Sequence, residues 1–107
     1  MAEIEQVVIF VTVGTREEAE VIADVLLEQK KAACVNIVPE VQSHFWWEDK
    51  LDSAGESLLI AKTKESLLPN VIESVKAIHS YSVPEIIALP IVGGNQEYLD
   101  WIDNEVI

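Results

Sequence analysis

Residues 7–13, VVIFVTV, are rich in β-branched side chains and apolar on both faces. A run of this kind predicts a central strand covered by helices on at least one face. Gly14 and Thr15 end it. Thr15 and Glu18 have capping-box spacing, which makes Thr15 the N-cap of a helix. Ala19, Ile22, Ala23 and Leu26 then recur at helical spacing, with Glu20, Asp24 and Glu28 pointing outward. Lys30 and Lys31 are expected in the last turn, where positive charge complements the helix dipole.

Residues 33–38 (ACVNIV) predict a second strand, which Pro39 interrupts. Residues 41–47 (VQSHFWW) resume it, so a bulge or a bend is expected at the proline. Residues 48–55 are polar and turn-forming, and residues 56–63 (ESLLIAKT) return as a strand, giving a long β-hairpin. Ser66 is the expected N-cap of a second helix, with Pro69 in its first turn. Leu68, Val71, Ile72, Val75 and Ile78 supply its apolar stripe. Residues 85–92 (EIIALPIV) form the last core strand, Gly93 and Gly94 turn the chain, and Asn95 caps a short helix over residues 96–103.

The order β-α-β, β-α-β, short helix is that of an α+β, ferredoxin-like split β-α-β sandwich, one domain over residues 1–107 with a long hairpin arm. Two helices cover one face of such a sheet. The other face would carry Val, Ile, Phe and Trp with nothing left to cover it, so a homo-oligomer is expected.

Half of the 107 residues are hydrophobic, enough for one packed core without a disulfide or structural metal. A single cysteine, Cys34, excludes an intramolecular disulfide and suits a reducing, cytoplasmic setting. No secretory leader pattern and no membrane-length apolar run is present, so no membrane association is expected. Nineteen acidic against seven basic residues give a formal charge of −12, which disfavours nucleic acid. The acidity serves solubility first and attracts cations only diffusely.

Phosphate-cradling loops, nucleophile elbows, HExxH and paired-cysteine zinc spacings are all missing, and no nucleophile–base pair can be named. The chain therefore does not read as an enzyme. Cys34 in its apolar strand reads as a small buried hydrophobe, with a metal or redox role as the alternative. His44 reads as a polar position on an alternating strand, beside Trp46 and Trp47, which suit a subunit contact. The most site-like stretch is residues 79–85, HSYSVPE, which gathers an imidazole, a phenol and a carboxylate in one connection. There His79 either caps the helix or joins Glu85 as a metal ligand, with Glu48 or a second subunit completing the shell.

Taken jointly, VVIFVT, LLEQKKAACVNIVP, FWWEDKL, ESLLIAKT, HSYSVPEIIALPI and YLDWI resemble the CutA family, the divalent-cation tolerance proteins. The likeness spans nearly the whole chain. It implies a homotrimer joined through the long hairpin, similar to the PII signalling proteins, with clefts between subunits. It also implies a link to copper and other divalent metals, with no cofactor required. Positions matching recurrent family residues are Cys34, Trp47, Glu48, Lys62, Thr63, His79, Tyr81 and Glu85. Of these, His79, Glu48, Glu85 and Cys34 are the metal candidates, and Trp47, Lys62, Thr63 and Tyr81 the candidates for contacting a small ligand. The chain departs from some copper-binding members at Val11 and Ile78, where those carry a cysteine and a second histidine, and at Ser80, where proline is usual. A small anionic ligand held by Lys62 and His79, and a purely structural trimeric scaffold or anchor, are the alternative functions.

Overall fold

The structure, a computed structural model, describes residues 3–107. In chain order it contains β1 (Gln6–Val13), α1 (Arg16–Glu28), β2 (Cys34–Trp47), β3 (Lys50–Lys64), a 3-10 turn (Glu65–Leu67), α2 (Leu68–Ile78), β4 (Ile86–Pro90) and α3 (Gln96–Glu105). The sheet order is β2-β3-β1-β4, and each neighbouring pair is antiparallel. That is the ferredoxin-like split β-α-β arrangement expected from the element order.

The period-two pattern of β1 separates its faces. Val7, Ile9, Val11 and Val13 are buried and meet Ile22 and Leu26 of α1 and Val71 and Val75 of α2 in one core. In register with them, Leu59 and Ala61 of β3 complete this helix-covered face. Thr63 lies on the same face with no exposed surface, and its hydroxyl donates to the Lys31 carbonyl at 2.6 Å.

The opposite face carries Val8, Phe10 and Thr12 of β1, Leu58 and Ile60 of β3, and Ile87 and Leu89 of β4. Contrary to the expectation from the sequence, part of this face is covered from within the chain. α3 packs over its Gln6 end, where Ile102 is fully buried and the Gln6 side-chain amide donates to both oxygens of Asp103 at 3.0 and 3.1 Å. The remainder stays exposed, with Ile87 at 51% and Leu89 at 45%.

Lys30 and Lys31 fall beyond α1 rather than in its last turn. Lys30 takes a left-handed φ of 54°, and the Lys30 and Lys31 N–H groups donate to the Leu27 and Leu26 carbonyls, a Schellman ending. Ser66 lies inside the 3-10 turn and does not cap α2, whose N-cap position is Leu67 with no side-chain bond. Pro69 does sit at the start of α2. β4 is shorter than the apolar run 85–92, and α3 runs two residues past 103.

The hairpin differs most. Residues 48–55 do not form a broad turn: β3 begins at Lys50, so only Glu48 and Asp49 connect the strands. Both have positive φ, 50° and 63°, the conformation that matches a two-residue connection to strand twist. The expected irregularity at Pro39 is a β-bulge. Pro39 and Glu40 stand opposite Ser57 alone, because Val38 pairs with Leu58 and Val41 with Glu56. The Ser57 hydroxyl satisfies the bulged Pro39 carbonyl at 2.6 Å. One inserted residue exchanges the faces of everything beyond it. Odd-numbered residues of β2 beyond the bulge, including Phe45 and Trp47, thereby join the face of Glu56, while Trp46, 71% exposed, turns to the other side.

Candidate functional site

The end of the sheet away from α3 holds a cleft of about 460 Å³. Thr12, Glu56, Tyr81 and Glu85 line its sheet side, and His44, Phe45 and Trp47 contribute from the arm. The bulge on β2 is what brings Phe45 and Trp47 there. No lysine or arginine lines the cleft, whereas two carboxylates do.

Tyr81 reaches the cleft from the α2–β4 connection. Its ring lies against Gly14, whose Cβ position would stand 3.4 Å from the phenol oxygen. The phenol donates to Glu56 Oε2 at 2.8 Å. Glu56 is only 8% exposed, so this bond satisfies one oxygen of a carboxylate largely removed from water. Burial first, and then the bond and charge of Glu56, push the Tyr81 pKa up to about 12. Tyr81 is therefore a neutral hydrogen-bond donor at physiological pH rather than a phenolate.

His79 ends α2, where its N–H donates to the Val75 carbonyl at 2.9 Å. Its side chain has no exposed surface. Nδ1 accepts from the Tyr81 N–H at 3.0 Å, which leaves Nε2 as the protonated nitrogen donating to the Thr12 carbonyl at 2.8 Å. Both ring nitrogens are thus occupied, and the imidazole ties the 79–85 connection to β1. Its ring also packs on Tyr81 with centroids 4.9 Å apart.

Glu18 completes the local network from α1. The Thr15 hydroxyl accepts from the Glu18 N–H at 3.1 Å, as the capping spacing predicts. The Glu18 carboxylate does not reach back to Thr15 to close the box. It accepts instead from the Ser80 N–H at 2.8 Å and the Ser80 hydroxyl at 2.9 Å.

The structure therefore brings together four of the eight sequence candidates: Trp47, His79, Tyr81 and Glu85. Glu48 is exposed at the tip of the arm and does not line the cleft. Cys34 and Lys62 pair across β2 and β3 on the open face, six residues along β3 from Glu56, or about 20 Å. There the Lys62 ammonium is 4.0 Å from the Cys34 sulfur and donates to Asn36 Oδ1. Tyr98 of α3 neighbours this group, and burial and Cys34 together raise its pKa. Thr63 is enclosed on the helix side. Among the described residues no three of His, Cys, Asp and Glu converge as a metal shell.

Glu56 and Glu18 were not singled out from the sequence. For Glu56 a signal existed: it shares the strand parity of Leu58 and Ile60, and a carboxylate on an otherwise apolar face asks for a partner. For Glu18 the capping-box spacing supplied a competing local role.

The family model described as "CutA1 divalent ion tolerance protein" matches residues 7–105. The divalent-cation tolerance protein CutA of Archaeoglobus fulgidus is 51% identical over 98 residues, covering 92% of this chain and 95% of that protein. The chloroplastic protein CutA 1 of Oryza sativa is 50% identical over 101 residues; these cover 94% of this chain but span only 57% of the rice protein's length. The crystal structure of CutA1 from Oryza sativa superposes with a TM-score of 0.94 at 49% identity, covering 97% of this chain and 95% of that one. The structure of the protein described as periplasmic CutA from Archaeoglobus fulgidus gives 0.93 at 48% identity, covering 95% and 99%. With its sheet order, its long arm and residues 7–105 all accounted for by these matches, the chain belongs to the CutA1 divalent ion tolerance protein family.

Proposed function

We propose that this chain acts as a homotrimeric divalent-cation-binding protein, a binding protein rather than an enzyme, with its cations held in the cleft at the base of the arm. The single observation that carries this reading is the charge of that cleft: Glu56 and Glu85 line it and, among the described residues, no lysine or arginine does. Carboxylate oxygens in such a cleft suit divalent ions. Glu56 keeps one oxygen that Tyr81 does not use, and Glu85 is exposed. His79 offers no free nitrogen in this arrangement, so it serves as a strut of the site.

One chain does not supply a full shell, so a second copy provides the remaining donors; Glu48 at the arm tip is the candidate that could reach across. Assembly is supported by Ile87 and Leu89 on the open face, and by Trp46 and Leu51 on the arm, 71% and 69% exposed. An anionic ligand is the weaker reading, because Lys62 is engaged with Asn36 outside the cleft and His79 is enclosed. Among the described residues no helix is long and apolar enough to cross a membrane. The free Cys34 thiol supports a reducing, cytoplasmic setting.

Calorimetric titration of Cu²⁺ and Mn²⁺ into the wild type and a Glu85→Gln variant tests the proposal. Binding tighter than millimolar that weakens about tenfold in the variant is expected, from the loss of one charged donor. Millimolar or absent binding of both ions would sink it.

A further inference from the structure

Glu18 stands outside the cleft, yet everything that enters the cleft from the α2–β4 connection depends on where Ser80 sits. Both carboxylate oxygens of Glu18 accept from that residue, Oε2 from its N–H and Oε1 from its hydroxyl; Oε2 also stands 3.5 Å from His79 Nδ1, and the Glu18 side chain is only 18% exposed. A charged, two-point bond of this kind is among the stronger polar contacts available to a side chain. Thr15, not Glu18, caps α1, so the carboxylate is free for this use.

From Ser80 the constraint runs directly to the site. The next N–H, that of Tyr81, is fixed on His79 Nδ1, and the Tyr81 phenol is fixed on Glu56. A backbone shift at Ser80 moves the phenol, and a moved phenol leaves a mostly buried carboxylate without its donor.

We infer that Glu18 is a positioning residue for the cleft: by clamping Ser80 it sets Tyr81 over Glu56 and so fixes which oxygen of Glu56 faces an incoming cation. The inference rests on the cation-binding reading for its consequence, but the clamp itself can be tested apart from it.

Physical chemistry offers a substitute for the clamp. Proline at position 80 would restrict the backbone by its ring and would need no acceptor for an N–H. His79 already has φ −75° and ψ 140°, the region favoured before proline, and Ser80 is not in the left-handed region. Ser80→Pro should therefore hold the connection even when Glu18 is gone.

Four proteins settle the matter: wild type, Glu18→Gln, Glu18→Ala, and Glu18→Ala combined with Ser80→Pro. Each is followed by amide hydrogen exchange at Tyr81 and by calorimetric titration with Cu²⁺, with thermal unfolding as a check on folding. In Glu18→Ala, Tyr81 exchange should quicken and Cu²⁺ affinity should fall, each by about tenfold, with the unfolding midpoint little changed. Glu18→Gln, which keeps one acceptor, should fall between, and the added proline should restore most of both. Unchanged Tyr81 exchange in Glu18→Ala overturns the inference, as does a folded double variant that recovers neither property. If the wild type binds neither Cu²⁺ nor Mn²⁺, the cation reading fails, and the exchange data alone still decide whether Glu18 places Tyr81.

Discussion

Tyr81 and Glu56 illustrate how one contact couples burial, charge and pH. The phenol is neutral because burial and the adjacent carboxylate both disfavour the phenolate, raising its pKa from 10.0 to about 12. A raised pKa in the folded state means that the stabilisation is complete below pH 10 and is lost as pH rises through about 12. In a Tyr98→Phe background, where one tyrosine remains, alkaline titration of phenolate absorbance should give a midpoint near 12. Adding Glu56→Gln should lower that midpoint without returning it to 10, because the burial remains. A midpoint of 10 before Glu56 is changed would mean that the bond does not persist in solution. His79 and Tyr81 were legible as site residues because they share one short connection. Glu56 and Glu18 lie 25 and 62 residues from their partners, Tyr81 and Ser80, separations that no local pattern spans.

At the scale of elements, the strands and helices followed from periodicity, and their ends did not. The β1 run, the Thr15 cap, Pro69 at the start of α2 and the Asn95 cap all act within a few residues, so the chain announces them. The arm was underestimated because Asp52, Ser53 and Gly55 carry no apolar alternation; pairing with β2 holds them in the strand instead. Similarly, Glu48 is not a residue that usually marks a tight turn of positive φ, although Asp49 tolerates that conformation. That mismatch has a measurable consequence. Replacing the pair by Asn-Gly should ease the positive φ at Glu48 above all and stabilise the arm by about 1 kcal/mol in chemical unfolding. A loss of stability would argue against the two-residue connection. The face exchange at Pro39 and Glu40 matters most to function, since it carries Phe45 and Trp47 to the cleft; proline flagged the irregularity, but only the register shows its direction.

For the whole molecule, the sheet's exposed remainder and the arm's outer side set the terms. Ile87, Leu89, Trp46 and Leu51 are more than can sensibly be left in water by a chain of 107 residues. Ile87→Glu should keep the fold, since the side chain is half exposed in the single chain, yet disrupt assembly; light scattering should then report a mass near 11.9 kDa with an unchanged far-ultraviolet spectrum. A variant that stays associated would move the contact away from this face. On the proposed function, the cleft becomes a cation site only when a second copy completes it. Native mass spectrometry during a Cu²⁺ titration separates the assembled from the isolated site. Cu²⁺ should appear on a species of three times 11.9 kDa and be absent from the single chain; Cu²⁺ bound equally well to the isolated chain, or to neither species, would contradict it.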